Sequence, residues 1–162
     1  MKIKKAAFIF LGLVCACGYY SCSDDLNFFT ATPLSESVEN LKVIKDGFSF
    51  TEGPAVDKDG NVFFTDQPND KIWKWDAATG EVTLWLEGTG RANGMAFDKE
   101  GNLIACADMY GEVWKIKPDK SHTVLVNNYN GKLLNGPNDV WINPASGGMY
   151  ITEPMFPRGD WE

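Results

Sequence analysis

Histidine, cysteine and basic residues are the scarce elements of this sequence, and each shortage removes a class of function. The chain of 162 residues holds one histidine, His122, so hydrolytic chemistry built on histidine has almost nothing to draw on. Of four cysteines, Cys15, Cys17 and Cys22 lie within or beside the first 22 residues. Cys106 is left alone, which rules out a disulfide framework for the folded part. Lysine and arginine number 15 against 22 acids, and three of the lysines (Lys2, Lys4, Lys5) fall in the first 21 residues. The remainder therefore carries 12 basic groups against 22 acidic ones, a net −10. Such a surface repels phosphate backbones, and nucleic acid is not an expected partner. No window carries a sustained 3.6-residue apolar period with caps, so helices are not expected to build the fold.

The single long apolar run follows the basic start "MKIKK": about fifteen apolar or small residues, too short to span a membrane well. It reads as a secretory leader over residues 1–21. Cys22 follows Ser21 and precedes "SDD", the pattern of a lipoprotein whose cysteine is acylated and followed by an acidic stretch. Cys17 is the rival site, and Tyr19 and Tyr20 stand where the usual pattern has Leu and a small residue. An ordinary cleaved leader is the alternative. Residues 22–40 show neither helical nor alternating periodicity and read as a tether. The folded domain is expected over 41–162. A cell-envelope location follows, lipid-anchored to the outer membrane on its periplasmic or surface side, or secreted.

What the sequence has in abundance is repetition. "EGPAVDKDGNVFFTD" returns as "NGMAFDKEGNLIACAD" and again as "NDVWINPASGGMYIT", with Glu52, Asn93 and Asn138 at the same place in each copy. The offsets are 41 residues from Glu52 to Asn93 and 45 from Asn93 to Asn138. "KIWKWD" matches "EVWKIK", and "EVTLWL" matches "HTVLVN", so each unit reads as four short β-runs joined by Asp/Gly/Asn/Pro turns. Four antiparallel strands every 40–45 residues is the signature of a β-propeller blade. The fold class is therefore all-β, with about two and a half blades present, and the chain is expected to be the N-terminal part of a longer protein.

"DKDGN" also imitates a calcium loop. Its glycine falls in the wrong place for an EF-hand, β-runs flank it instead of helices, and "DKEGN" recurs at the same point of the second unit. It is read as the hairpin turn between first and second strands, with Gly60 and Gly101 supplying positive φ.

In a propeller the first strand of each blade lines the central channel. Equivalent positions from successive blades therefore converge on the axis. Glu52, Asn93 and Asn138, placed just before the first strands, would bring one carboxylate and two amide oxygens to the channel mouth. Hard oxygen donors of this kind suit a divalent cation such as Ca2+, Mg2+ or Mn2+. Each residue also has a plain reading. Asn93-Gly94 is a common turn dipeptide, Glu52 could be a solvated loop acid, and Asn138 could satisfy backbone groups. Asp139 is a candidate substrate contact with an equal claim to a structural turn role.

The segments "FTEGPAVDKDGNVFFTD", "RANGMAFDKEGNLIACAD" and "LNGPNDVWINPASGGMYITEP" resemble the first half of the gluconolactonase/regucalcin (senescence marker protein) family over residues 41–154. The resemblance implies a six-bladed propeller, monomeric at full length, with one divalent cation in its channel (calcium first, with zinc, manganese or magnesium as alternatives). It also implies hydrolysis of sugar lactones, with organophosphate cleavage in some members. By the same resemblance Glu52 matches the metal glutamate, and Asn138 matches a channel asparagine that is a metal or substrate ligand depending on the member, taken here as a metal ligand; Asn93 matches a recurring "NG" element and, with Asp139, is taken as a substrate contact. The family's remaining ligands and its general base are expected beyond Glu162, so no catalytic residue is assigned. "YITEP" stands where relatives show "YFTDP", which bears on substrate preference. A non-catalytic cell-surface propeller binding glycans or a protein is the second reading, because fold alone does not fix function. Membrane contact is expected through the lipid anchor only.

Three further patterns carry structural expectations. Trp73 and Trp114 share a repeat position and are expected to pack between blades. Asp66, Asp108 and Glu153 each follow a second strand and are expected to bind backbone donors. His122 is expected in the turn before the fourth strand of the second unit.

Overall fold

A computed structural model describes residues 42–155. The leader, Cys22 and the tether lie outside these residues, as do residues 156–162. Two four-stranded antiparallel sheets account for most of the described residues. The first contains β1 (Thr51–Val56), β2 (Val62–Asp66), β3 (Lys71–Trp75) and β4 (Val82–Glu87), in that spatial order. The second repeats it with β5 (Ala92–Phe97), β6 (Leu103–Ala107), β7 (Glu112–Ile116) and β8 (His122–Val126). A small hairpin of β9 (Asn128–Tyr129) and β10 (Lys132–Leu133) follows. The antiparallel pair β11 (Val140–Ile142) and β12 (Met149–Ile151) then stands where a third sheet begins.

The turns explain the regularity. In the β1–β2 turn Asp57 Oδ1 accepts the N–H groups of Asp59 and Asn61, both at 2.9 Å, and the Asn61 amide donates to Asp57 Oδ2 at 2.8 Å. Asp98 and Asn102 repeat this in the β5–β6 turn, where Lys115 adds an ion pair to Asp98 at 2.9 Å. Asn143 does the same with its amide oxygen, accepting from Ala145 and Ser146. Gly60 and Gly101 adopt φ of +83° and +82°, as the turn reading requires. The opposite hairpin of the first sheet is built alike: Asp76 Oδ1 accepts from Ala78 and Thr79.

Strand alternation places a core on each face of the second sheet. Leu103, Ala105, Trp114 and Ile116 pack with Phe63 and Ile72 of the first sheet. Ile104, Cys106 and Val113 pack with Val140 of the β11–β12 pair. Every residue of β6 is buried, as expected of a strand sandwiched between neighbouring sheets. Phe63 meets Trp85 and Phe97 edge-on, with ring centroids 5.1 Å apart in each case. Burial pushes the Cys106 thiol up to about 12, with the carboxylates of Asp139, Glu153 and Asp108 adding to the effect, so it stays protonated and inert.

Two expectations need correction. Trp114 does pack between sheets, but Trp73 lies on the other face of the first sheet. There it meets Phe48 edge-on at 5.4 Å, and the Lys45 ammonium sits 4.4 Å above its ring. The first sheet has no preceding sheet among the described residues, and the segment leading into β1 covers that face instead. His122 is not in the turn. It is the first residue of β8, and its ring stacks on Trp114 at 3.9 Å because diagonal cross-strand neighbours share a face.

Candidate functional site at the first-strand register

The innermost strands β1 and β5 share an irregularity. Pairing skips between Glu52 and Ala55 in the first sheet, and between Ala92 and Met95 in the second. Each is a bulge, which bends the strand and re-aims its side chains. Pro54 tolerates the first because the bulged segment donates nothing to the ladder. Glu52 and Asn93 therefore sit inside their strands, at or beside the bulge. Asn138 precedes β11 by two residues.

The bulges let three backbones converge. A Cβ at Gly53 would run into the carbonyl oxygen of Asn93, and one at Gly94 would run into Asp139 and the Asn138 carbonyl. Both positions require glycine for close approach. The Gly94 N–H donates to the Asn138 carbonyl at 2.6 Å, and Thr65 Oγ1 donates to the Asn93 carbonyl at 3.3 Å. Glu52-Gly53, Asn93-Gly94 and Asn138-Asp139 thus form a contiguous set of backbones drawn from three successive repeats.

The side chains at this register differ from all the turn acids in what they bind. Among the described residues, neither the Asn93 nor the Asn138 amide makes a side-chain hydrogen bond, although Asn93 is only 7% exposed. Among the described residues Glu52 accepts only from its neighbour Gly53, at 3.4 Å. The Asn93 and Asn138 amide atoms are not among the buried unpartnered ones; they reach solvent, which leaves them open to a ligand. Asp139 is more committed: Oδ1 accepts the Val140 N–H at 2.8 Å, and its own N–H donates to Thr152 Oγ1 at 2.9 Å.

One carboxylate and two amides without thiol or imidazole fit a hard divalent cation. Among the described residues no group of three or more His, Cys, Asp or Glu side chains offers an alternative centre. The Asp57 loop is closed to a metal because its carboxylate is already bound. Burial works against that charge, but the Asn61 amide and the backbone N–H groups of Asn61 and Asp59 outweigh it and hold the pKa below 3.8.

The acids after the second strands buttress the site from behind. Asp66 Oδ1 accepts the N–H groups of Ser49 and Phe50, which lead into β1, at 3.0 and 3.1 Å. Glu153 accepts those of Asn135 and Gly136, which lead to Asn138. Asp108 Oδ2 accepts from the Gln67 amide of the first sheet at 3.0 Å, a contact across sheets.

Sequence reasoning passed over Arg91. Two residues before Asn93, it adopts a left-handed φ of +52°, fixed by its N–H donating to Asp70 Oδ1 at 2.6 Å. Its guanidinium donates to Gln67 Oε1 at 3.3 Å, while its buried Nε has no hydrogen-bond partner among the described residues. The repeat has Phe50 and Gly136 at this position, so no register argument could single the arginine out.

Four-stranded antiparallel sheets packed face to face are the blades of a β-propeller. Residues 50–160 match the SMP-30/Gluconolactonase/LRE-like region, and the chain belongs to that family. It is similar to a gluconolactonase from Zymomonas mobilis at 30% identity, over 72% of this chain and 36% of the relative. Its structure is similar to that of a gluconolactonase from Xanthomonas campestris, with a TM-score of 0.65 at 28% identity, over 68% of this chain and 37% of that one. A virginiamycin B lyase from Staphylococcus aureus, with a TM-score of 0.54 at 15% identity, shares the fold alone. The chain spans a little over a third of the length of these relatives.

Proposed function

We propose that this chain supplies part of the active site of a metal-dependent hydrolase acting on sugar lactones, in a protein lipid-anchored through Cys22 in the cell envelope. The observation that carries the proposal is the first-strand register. Glu52, Asn93 and Asn138 sit on touching backbones with their side-chain oxygens left open, in a chain belonging to a gluconolactonase family.

Glu52 and Asn138 would hold the cation, with Ca2+ the first choice because an all-oxygen set of low charge matches a large, hard ion. When bound, the cation supplies Lewis-acid polarisation of the lactone carbonyl and charge stabilisation for the tetrahedral oxyanion. The protein's part is positioning. Gly53 and Gly94 allow the three strands to close up, the bulges aim the donors, and Asp66 and Glu153 anchor the segments that carry them. The Asn93 amide, open to solvent and without a side-chain hydrogen bond among the described residues, can orient ring oxygens of the substrate. Asp139 offers its second carboxylate oxygen at the rim. No residue of this chain is assigned as general base.

Lactone turnover by the full-length protein, with and without chelator, tests the proposal. Glu52→Gln preserves shape and removes the charge, and hydrolysis should fall by at least about a hundredfold. Unchanged turnover in that variant would refute the metal assignment. A protein that binds glycans without any hydrolysis would instead favour the non-catalytic reading.

A further inference from the structure

The three entries to the first-strand register are not anchored alike. Thr51 pairs with Asp66 in the first sheet, and Asp66 holds the N–H groups of Ser49 and Phe50. Glu153 has the same place in the third unit. It follows Thr152, whose carbonyl accepts the Asn138 N–H, as Asp66 follows Thr65, the partner of Glu52. Glu153 accordingly holds Asn135 and Gly136. In the second sheet the residue paired with Ala92 is Ala107, fully buried and with no polar atom in its side chain. The unit that carries Asn93 therefore lacks an anchoring acid at this position.

Asp70, between β2 and β3, takes over from the preceding sheet. It closes the short 3-10 turn Gln67–Asn69 in the left-handed conformation, at φ +56°, which side-chain-bearing residues adopt rarely. From there its Oδ1 accepts the Thr89 N–H at 2.8 Å, the Thr89 hydroxyl at 2.9 Å and the Arg91 N–H at 2.6 Å. Thr89 Oγ1 in turn accepts the Ala92 N–H at 3.2 Å. Both N–H groups just before Asn93 are thus fixed by one carboxylate, directly at Arg91 and through Thr89 at Ala92. The Asn93 carbonyl then accepts from Thr65 Oγ1, and Thr65 is the residue paired with Glu52. One repeat later, 41 residues on, the place of Asp70 is taken by Gly111 at φ +62°. An added Cβ there would run into the Leu134 carbonyl, so the second unit has no room for a side chain like that of Asp70.

Resting on the lactonase reading above, we infer that Asp70 is a positioning residue for the substrate: it aims Asn93 from the first sheet and leaves the cation to Glu52 and Asn138. The segments that carry those two ligands are anchored separately, by Asp66 and Glu153. Loosening the 88–91 turn therefore moves the substrate contact while the metal donors stay where they are. Hydrolysis and cation binding become separable at this one residue.

The test uses glucono-δ-lactone and the full-length metal-loaded protein. Asp70→Ala should lower kcat/KM about ten- to a hundredfold, the scale of a misplaced contact, while calorimetry finds Ca2+ affinity unchanged. Asp70→Asn keeps an Oδ1 that accepts from Thr89 and Arg91, and should restore most of the turnover. Thr89→Val removes only the hydroxyl relay to Ala92 and should fall between the two; it carries the test if Asp70→Ala does not fold. Asp76→Ala deletes a turn acid whose Oδ1 also accepts the N–H and hydroxyl of a threonine and one further N–H, and it should leave kcat/KM unchanged. Amide hydrogen exchange, a readout independent of turnover, should quicken at residues 91–93 and not at 49–52 in Asp70→Ala. Unchanged kcat/KM in Asp70→Ala, or loss of Ca2+ binding along with it, would overturn this inference alone. No lactone turnover by the wild type would overturn the lactonase reading and this inference with it.

Discussion

Two sets of Asp, Asn and Glu residues recur with the same period in this protein, and they behave in opposite ways. Asp57, Asp98 and Asn143 each fold the next backbone onto their own side chain. Glu52, Asn93 and Asn138 lie a few residues upstream in each repeat and leave their side-chain oxygens almost unbound. Period alone does not separate structure from function. Hydrogen-bond satisfaction does: the turn set is bound within its own loops, and the inner set is left open to solvent or to a ligand.

The contrast can be broken most severely at the glycines. Gly94→Ala would push a methyl group into Asp139 and the Asn138 carbonyl, where backbone has little room to yield. We expect a loss of about 3 kcal/mol or more in urea unfolding, with lactone hydrolysis lost as well. Gly60→Ala should cost less, about 1 kcal/mol, because only its positive φ is at stake: an added Cβ would touch nothing but Ala77, at 3.7 Å. Equal costs at the two positions would refute the crowding at the first-strand register.

Side-chain deletions sharpen the comparison. Asn138→Ala should abolish cation binding, read by calorimetry, while changing the melting temperature little, since its amide holds nothing in the fold. Asp98→Ala should do the reverse. Its carboxylate accepts from Glu100, Asn102 and Lys115, and its loss should lower stability by about 1 kcal/mol without touching hydrolysis.

The turn acids also set the acid limit. Burial opposes the Asp98 charge, but the Asn102 amide, the Lys115 ammonium and the Asn102 N–H outweigh it, so its folded pKa lies below 3.8. A depressed carboxylate contributes stability that is complete above its unfolded pKa and lost as pH falls through the folded value. Urea midpoints measured from about pH 6 to about pH 2 should fall more steeply for the wild type than for Asp98→Asn. Parallel curves would show that the turn carboxylates contribute nothing to acid stability. The smallest effect is expected at Lys58. Its pair with Asp59 is open to solvent, and Lys58→Ala should leave the melting temperature unchanged.

Much of this architecture was legible in the sequence because turn chemistry is local. Asp-x-x-Gly-Asn, Asp-x-x-x-Gly and the alternating runs between them mark strand ends within a few residues, and the repetition supplied the register of Glu52, Asn93 and Asn138. What stayed hidden depends on contacts distant along the chain. The bulges at Gly53 and Asn93 arise where innermost strands crowd together, and nothing in "EGP" or "ANG" distinguishes them from plain turns. Trp73 and Trp114 occupy the same repeat position, yet one meets a neighbouring sheet and the other Phe48. The β9–β10 hairpin was concealed in four extra residues of offset, though Asn130-Gly131 between short apolar runs was a readable hairpin signal. Arg91 had no repeat partner to draw attention to it.

The account rests on one cation being shared by donors from successive repeats. The direct test is calorimetric titration of Ca2+ into the metal-stripped full-length protein and two charge-removing variants. The wild type and Asp57→Asn should each bind one ion with matching affinity, and Glu52→Gln should bind none. Loss of binding in Asp57→Asn, or its survival in Glu52→Gln, would return the metal to the turn and contradict the account.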